Sequence, residues 1–332
     1  MNSSNFVKCL LKDKFILPPI SGYTDYPYRT ILAKFNPPFI ITEMVSAQAV
    51  IRKNPKTIQI LKKAEGTHFN GLQLFGSDPK IMGEAAKIVE NMDFDYIDIN
   101  MGCTIKKVAN KGAGISLMIQ EKNACLVTAS VVDAVNIPVT CKLRLGATKQ
   151  NVNVVSLSQK LMDIGITAVI IHGRTGEKKF GLTIDFNLIK SVVENLSIPV
   201  VANGGIFTGR DAEMMIKKTG ASAVMPGRGL VGNPWLISEL RSIFSNKPFS
   251  TPNLKDKKNI CLEHLQNLCD FYGASNGIIK MRKILPEYFS NCHNLKNLKL
   301  EVQHVSFYSQ ILELLENIYE VDDHIIYNNV TL

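Results

Sequence analysis

The sequence lacks any uninterrupted apolar run of the roughly 18 residues that a membrane-spanning helix requires. Its first 17 residues also lack the apolar core of a signal peptide, because Lys12, Asp13 and Lys14 interrupt them. Both absences argue against a membrane or secreted protein. They favour a protein of the cytoplasm.

The number and spacing of the cysteines argue against two common uses, a disulfide framework and a CxxC motif. No two cysteines stand in a CxxC pair, and their number is odd. The seven are Cys9, Cys103, Cys125, Cys141, Cys261, Cys269 and Cys292. A scattered, odd set predicts a reducing compartment rather than a disulfide framework, and we expect no metal site.

Lysine and arginine are absent from residues 301–332, which contain six acidic residues, although the whole chain has a net charge of +9. The excess positive charge therefore lies on residues 1–300. A basic body of this kind suits a protein that meets a polyanion. A generally basic proteome gives the same balance, so charge alone leaves both interpretations open.

Eight short apolar or β-branched runs recur along the first 230 residues, and segments of helical period separate them. The predicted strands are residues 15–18, 39–43, 71–75, 96–100, 139–144, 168–172, 200–203 and 223–226. The predicted helices between them include residues 78–92, 121–135, 153–165 and 209–220. This alternation predicts an α/β protein with a parallel sheet. Eight units of this size predict a TIM (β/α)8 barrel, and a doubly wound open sheet is the alternative.

The composition changes after the eighth unit. Residues 245–253 contain two prolines and several small polar residues, as linkers do. Apolar residues then recur at helical spacing in two stripes. These are Ile260, Leu262, Leu265, Leu268 and Phe271, and then Val305, Phe307, Ile311, Leu314, Leu315 and Ile318. We therefore predict a barrel domain over residues 1–244 and a small helical domain over residues 245–332.

A candidate reactive cysteine follows the fourth predicted strand. Asp98 and Asn100 end that strand, Cys103 comes next, and a loop rich in lysine and glycine follows. The carboxyl ends of the strands meet at one mouth of a TIM barrel, where active sites lie. A thiol there, beside an amide and several cations, suits chemistry on a polyanionic substrate.

Polar side chains also follow or line other predicted strands. Gln73 can both donate to and accept from the edge of a heteroaromatic ring. Lys142 and Arg144 alternate with apolar residues, so both point into the barrel, where a cation needs an anionic partner. His172 and Arg174 end the sixth strand and are further candidates for the site.

Glycine-rich turns follow the seventh and eighth predicted strands. The first contains Asn203, Gly204 and Gly205, and the second contains Gly227 and Arg228. Glycines there leave backbone N–H groups free to hold a phosphate, helped by the N-terminus of a helix. A phosphate pocket, an inward lysine and a glutamine edge together indicate FMN as the cofactor.

Eight segments, in order along the chain, resemble the motifs of bacterial tRNA-dihydrouridine synthases, and most of all those of the B subfamily. They are residues 17–29, 42–47, 73–79, 98–118, 140–146, 172–175, 202–206 and 227–235. The resemblance is weaker beyond residue 240, where residues 281–289 are similar to a basic helix of the family's RNA-binding domain. It implies a flavin enzyme that reduces specific uridines of tRNA to 5,6-dihydrouridine.

The resemblance implies a role for each matched residue. The predicted FMN contacts are Pro19, Ile20, Ser21, Gln73, Lys142, His172, Asn203, Gly204, Gly205, Gly227 and Arg228. Cys103 would protonate C5 of the uracil, and Asn100 would hold that base. Arg174, at the RNA entrance, and Arg282 and Lys283, in the helical domain, would contact the RNA. NADPH or NADH would reduce the flavin, tRNA would be the partner, and no stable protein partner is expected.

Two departures from the family pattern stand out. Thr104 replaces a usual proline, and residues 180–186 differ from the usual aromatic-glycine stretch. Two other functions compete with the main prediction. A flavin barrel acting on a free pyrimidine, like dihydroorotate dehydrogenase, has no need of the basic segment 245–300. A non-catalytic RNA-binding protein has no need of Cys103 and Lys142.

Overall fold

The computed structural model describes residues 2–177, 183–290, 292 and 295–319. Residues 180–182 of the divergent stretch, and residues 320–332 of the predicted second domain, lie outside the described part. The chain divides into two compact units. The first comprises Met1–Gly229 and Leu236–Pro248, and the second comprises Leu230–Trp235 and Phe249–Leu332.

The first unit contains a closed parallel barrel. Its strands are β1 (Phe39–Ile41), β2 (Val45–Ser46), β3 (Phe69–Phe75), β4 (Tyr96–Asn100), β5 (Val139–Arg144), β6 (Gly146–Thr148), β7 (Asn151–Val152), β8 (Ala168–His172), β9 (Val200–Asn203) and β10 (Ala223–Met225). The pairing order is β1-β3-β4-β5-β8-β9-β10, with β2 also beside β3, and all these pairs are parallel. Strands β6 and β7 form a separate antiparallel pair.

The first predicted strand closes the barrel. Phe15 bridges Val224 of β10 in parallel, and the Ile16 N–H donates to the Val224 carbonyl at 3.0 Å. The Leu17 N–H donates to the Phe39 carbonyl of β1 at 3.0 Å. This segment therefore joins the two ends of the sheet. The prediction of a TIM barrel is confirmed, and the open-sheet alternative is wrong.

Helices alternate with the barrel strands along the chain, and one helix precedes them. They are α1 (Ser3–Asp13), α2 (Tyr26–Ala33), α3 (Ala47–Ile51), α4 (Pro55–Ile60), α5 (Pro79–Glu90), α6 (Lys106–Ala109), α7 (Ile115–Ile119), α8 (Glu121–Val132), α9 (Val154–Ile164), α10 (Phe186–Asn195), α11 (Gly209–Thr219) and α12 (Leu236–Ser245). The four helices predicted between strands correspond to α5, α8, α9 and α11. Helix α5 begins as its sequence requires, with the Asp78 side chain accepting from the Ile81 N–H at 3.0 Å and Pro79 in the first position.

Helix α1 precedes the first repeating unit and fills the amino-terminal mouth of the barrel. Phe6 and Leu10 are fully buried in an apolar cluster formed by the first residues of the strands. The Phe6 ring lies 4.8 Å from the Phe39 ring and 5.1 Å from the Tyr96 ring, both edge to face. The lower half of the barrel is thus solid hydrophobic core.

The upper half of the barrel is polar because side chains alternate along each strand. Tyr96, Asp98 and Asn100 share one face of β4, and Tyr96 belongs to the apolar cluster. Asp98 pairs in register with Gln73 of β3, and Asn100 pairs with Lys142 of β5. Alternate residues on one face of β4 therefore change from aromatic in the core to polar at the mouth.

The second unit is helical. Its helices are α13 (Leu254–Tyr272), α14 (Ala274–Arg282), α15 (Leu285–Tyr288), α16 (Leu295–Glu301) and α17 (Tyr308–Glu316). Both predicted apolar stripes contribute to its core through residues such as Leu265 and Ile311. Phe307 is an exception, since 67% of its surface is exposed. It precedes α17 rather than lying within it, so the helical period that included it is wrong there.

Across the described ranges, none of the helices has the length and apolar character needed to cross a membrane.

The packing of β3 against β4 predicts that Gly71 tolerates no side chain. A Cβ at Gly71 would lie 2.2 Å from Cζ of Tyr96, whose hydroxyl donates to the Ile40 carbonyl at 3.1 Å. We expect Gly71→Ala to lower the free energy of unfolding by about 1–3 kcal/mol, the usual effect of overpacking. Denaturant titration measures it, and in a Tyr96→Leu background the same change should be milder. An equal loss in both backgrounds would show that the Tyr96 ring is not the obstacle.

Candidate active site

A buried carboxylate lies beneath the mouth of the barrel. Asp98 is fully buried, and Nε2 of Gln73 donates to its Oδ2 at 2.6 Å. Oγ1 of Thr140 donates to its Oδ1, also at 2.6 Å. Burial raises the pKa of Asp98 from 3.8 to about 6, although these two hydrogen bonds and the nearby Lys142 oppose the shift.

Hydrogen bonds through the side-chain amides of Asn100 and Gln73 connect the loop that carries Cys103 to this carboxylate. Nδ2 of Asn100 donates to Oε1 of Gln73 at 2.8 Å. Oδ1 of Asn100 accepts from the N–H groups of Gly102 at 3.2 Å and Cys103 at 3.0 Å. Cys103 itself is a free, partly buried thiol. The polar atoms of Asn100 are therefore engaged with the protein, and its predicted contact with a uracil stays a prediction.

Lys142 is the cation next to this network. Its Nζ donates to Oδ1 of Asn203 on β9 at 3.2 Å, and Nδ2 of Asn203 donates to the Met225 carbonyl at 2.7 Å. Burial lowers the pKa of Lys142 from 10.5 to about 8, and Arg144 adds to this while Asp98 opposes it. Asp98 is thus the anionic neighbour that an inward lysine needs.

Arg144 is held differently. Its Nε donates to the Gly102 carbonyl and its Nη1 to the Thr175 carbonyl, both at 2.8 Å. Backbone carbonyls, rather than a carboxylate, therefore fix this guanidinium. Arg144 thereby ties the loop of Cys103 on one side to the loop after β8 on the other.

His172 sits among cations and stays neutral. Its Nε2 lies 3.4 Å from Nη1 of Arg174. Burial, helped by the neighbouring Lys142, Arg144, Arg174 and Arg228, lowers the pKa of His172 to about 2. A neutral imidazole at this position cannot serve as a proton donor of the imidazolium type at neutral pH.

Backbone N–H groups are the candidate phosphate donors of the turn after β9. Gly204 has a φ of 122°, and a Cβ there would lie 2.5 Å from Cδ1 of Ile184 and 3.1 Å from Cδ2 of His172. Within the part of the chain that the structure describes, no acceptor pairs with the N–H groups of Gly204, Gly205 and Gly227. Space around Gly227 is open, since a Cβ there would meet nothing within 4 Å. These donors and this space fit a phosphate.

Much of the N-terminus of helix α11, which the sequence suggested as a further donor, is capped by the protein itself. Thr208 and Asp211 form a capping box, and the Phe207 N–H also donates to Oδ2 of Asp211, at 2.9 Å. The Gly209 N–H donates to Oε1 of Glu239 at 2.7 Å. The N–H groups of Gly209 and Asp211 in the first turn of α11 thus already have acceptors, and the expected help from this helix end stays a prediction.

The turn after the closing segment places Pro19, Ile20 and Ser21 near the mouth. The Ile20 N–H donates to Oγ1 of Thr24 at 2.8 Å, and the Gly22 N–H donates to Oε1 of Glu43. Pro19 and Ile20 are partly buried, whereas Ser21 is exposed. A rigid, apolar turn of this kind can face a flat ring.

The structure brings most of the predicted site together. Five predicted residues lie at the carboxyl ends, or within two residues of the ends, of strands that are neighbours in the barrel, β3, β4, β5, β8 and β9: Gln73, Asn100, Lys142, His172 and Asn203. Arg228 is exposed after β10.

Two predicted RNA contacts belong to the second unit. Nε of Arg282 donates to the Val305 carbonyl at 2.9 Å, and Lys283 is exposed. Arg282 thus has a role inside its own unit, and contact of either residue with RNA stays a prediction.

Sequence reasoning assigned no role to Asp98 or to Thr140. Both lie one period of two below a residue that it identified, Asn100 and Lys142 respectively. The side chain two residues before each predicted site residue lies on the same face of its strand, and this rule would have identified both. The site thus has two layers, an upper one that faces the mouth and a lower one that supports it.

A closed (β/α)8 barrel with a cationic, amide-lined mouth at the carboxyl ends of its strands defines the class of α/β-barrel enzymes. The described residues include no cluster of three or more His, Cys, Asp or Glu side chains able to hold a metal ion.

Comparison with known proteins narrows this class. Residues 16–322 match the model of the dihydrouridine synthase (Dus) family. The chain is 35% identical to a probable tRNA-dihydrouridine synthase of Rickettsia bellii, over 86% of this chain and 88% of that protein. It is 36% identical to tRNA-dihydrouridine synthase B of Pasteurella multocida, over 84% of each. The chain belongs to the dihydrouridine synthase family, as its motifs predicted.

Among solved structures, an old yellow enzyme homologue from Zymomonas mobilis gives a TM-score of 0.48 at 13% identity, over 74% of this chain and 92% of that one. That similarity is too low to bear on function.

The raised pKa of Asp98 predicts the sign of a pH effect on stability. Because its folded-state pKa is about 6 and its ordinary value is 3.8, the folded protein binds this proton more tightly than the unfolded chain does. The contribution of Asp98 to the free energy of unfolding should therefore fall as pH rises from about 4 to about 6, and level off above. Denaturant titrations of wild type and Asp98→Asn at several pH values isolate this contribution.

Asp95→Asn is the matched control, because Asp95 lies just before the same strand and is only partly buried. As pH rises over that interval, the free energy of unfolding of the wild type should fall relative to that of Asp98→Asn. A difference that moves in favour of the wild type would mean that the site stabilises the carboxylate more than burial penalises it.

Proposed function

We propose that the chain reduces specific uridines of tRNA to 5,6-dihydrouridine, with FMN as cofactor and NADPH or NADH as the reductant of the flavin. The observation that carries the proposal is the meeting of Cys103, Gln73, Asn100 and Lys142 at one barrel mouth, in a chain of the dihydrouridine synthase family. Relatives that match over most of their length are named tRNA-dihydrouridine synthases.

The residues of the mouth suit FMN. Pro19 and Ile20 offer apolar surface for the ring, and Gln73 offers an amide edge. The N–H groups of Gly204, Gly205 and Gly227, with Ser21, Asn203, His172 and Arg228 nearby, suit the ribityl and phosphate part. When bound and reduced, FMN supplies the hydride for C6 of the uracil. The Lys142 ammonium stabilises negative charge on the ring side of the pocket.

Cys103 is proposed to donate the proton to C5 of the uracil. Its loop is fixed by the Asn100 amide and by the Arg144 guanidinium, which holds the Gly102 carbonyl. His172 is the alternative acid, but the low pKa of its imidazolium leaves it no proton of that kind to give at neutral pH. The thiol is therefore the better general acid.

Recognition of tRNA is proposed to involve both units. The target base must leave its stack to reach a barrel mouth, and Arg174 lies there among other cations. The basic residues of the second unit, including Arg282 and Lys283, suit contacts with phosphates. The absence of a stable protein partner and the cytoplasmic location stay predictions. Family membership argues against the free-pyrimidine alternative.

Cys103→Ala should separate the two half-reactions. The variant should release FMN on denaturation, and its flavin should be reduced by the nicotinamide nucleotide at a near-normal rate. Reoxidation by tRNA should slow roughly 10²–10⁴-fold, the usual contribution of general acid catalysis. Stopped-flow absorbance of the flavin near 450 nm measures both steps.

Cys125→Ala is the matched control, since Cys125 is a partly buried cysteine on α8. It should leave both half-reactions unchanged. Unaltered reoxidation in Cys103→Ala would show that another group delivers the proton, and a purified protein without FMN would refute the proposed cofactor.

Lys283→Glu should weaken tRNA binding and lower the slope of log K against log salt by about one. Lys283 is chosen because its side chain is exposed, whereas Arg282 donates to the Val305 carbonyl within its own unit. Lys87→Glu is the control, as Lys87 is an exposed lysine in the last turn of α5. Equal affinities and slopes for wild type and Lys283→Glu would remove Lys283 from the RNA contact.

A further inference from the structure

A one-way chain of hydrogen bonds runs from the loop of Cys103 down to Asp98. The Cys103 and Gly102 N–H groups donate to Oδ1 of Asn100. Nδ2 of Asn100 donates to Oε1 of Gln73, and Nε2 of Gln73 donates to Oδ2 of Asp98. Every donor in the chain points towards the same buried carboxylate.

The direction of this chain follows from the chemistry of its last member. An ionised carboxylate accepts hydrogen bonds and donates none. Gln73 must therefore present its Nε2 to Asp98, which turns its Oε1 towards Asn100. Asn100 must then present its Nδ2 to Gln73, which turns its Oδ1 towards the two backbone N–H groups of the loop.

We propose that Asp98 is a positioning residue that, through Gln73 and Asn100, holds the loop of Cys103 in place. Its consequence for catalysis rests on the proposed function, in which Cys103 donates a proton and Gln73 faces the cofactor. The positioning itself is a property of the chain alone.

An asparagine at position 98 would have the same shape but would remove the directionality. Its amide could turn a donor towards Gln73, and the Gln73 amide would then reverse. Asn100 would reverse in turn and point its Nδ2 at the N–H groups of Gly102 and Cys103, where donor meets donor. Burying the charge of Asp98 is unfavourable. In return, the carboxylate excludes the reversed orientation of the two amides.

The test measures how tightly the loop is held. The purified full-length protein, as isolated, is treated with iodoacetamide, and alkylation of each cysteine is followed by peptide mass spectrometry, with Cys125 as the internal reference. Asp98→Asn should alkylate at Cys103 about tenfold faster than wild type, the factor that corresponds to losing one hydrogen bond's net stabilisation. The rate at Cys125 should not change.

A charge-conserving swap provides the rescue. Asp98→Asn combined with Gln73→Glu keeps the net charge and moves the acceptor-only group to position 73, where it accepts from both asparagines. Asn100 then regains its orientation, and alkylation of Cys103 should return to the wild-type rate. Asp95→Asn removes one carboxylate elsewhere, and Thr140→Val removes only the second donor to Asp98, so neither should speed the reaction.

The outcomes separate cleanly. Wild-type alkylation of Cys103 in Asp98→Asn, or fast alkylation in the swap at an FMN content equal to that of the wild type, overturns the proposal. Should Asp98→Asn fail to fold, the swap alone decides, because it must retain slow alkylation. The measurement needs no turnover. Absence of FMN in the preparation would therefore refute the proposed function and leave the positioning role standing, whereas an active enzyme with unchanged alkylation would do the reverse.

Discussion

The backbone hydrogen bonds of residues 14–17 are the constraint on which the site depends. They join β10 to β1 and turn a twisted parallel sheet into a barrel. Closure brings side chains that are far apart in the sequence to one mouth, such as Gln73 and Asn203, which are 130 residues apart. The same closure fixes which side chains point inward, because each strand then has one face towards the axis. The arrangement of side chains at the mouth therefore depends on the backbone pairing of residues 14–17 with β10 and β1.

Charge in the mouth is unbalanced in a way that suits an anion. Lys142, Arg144, Arg174 and Arg228 all contribute to lowering the pKa of His172. Asp98 is the acid that opposes the fall in the pKa of Lys142. A ligand with a phosphate and a ring that accepts negative charge relieves this repulsion, as FMN does in the proposed function. Cationic excess around unpaired backbone donors is therefore a property of the site and not only of the overall composition.

Sequence alone predicted the strands, the barrel and the family, because these depend on periodicity and on residues at strand ends. It identified Gln73, Lys142 and Asn203 for the same reason. It did not predict that the polar atoms of Asn100 are engaged with Gln73 and the loop of Cys103, since direction in an amide network depends on contacts across strands. It also placed Phe307 in an apolar stripe, because spacing does not show that a helix begins one residue later. Asp211 caps α11 by accepting from the N–H groups just before the helix, and the glycine-rich motif alone does not predict this.

Helix α1 seals one end of the barrel with Phe6, Leu10 and the rings of Phe39 and Tyr96. The catalytic chamber is consequently a cul-de-sac. Under the proposed function, the nicotinamide nucleotide and the flipped uridine must therefore use the same opening, and two ligands that share one opening compete for it. Such competition favours a double-displacement cycle, in which the enzyme alternates between an oxidised and a reduced form.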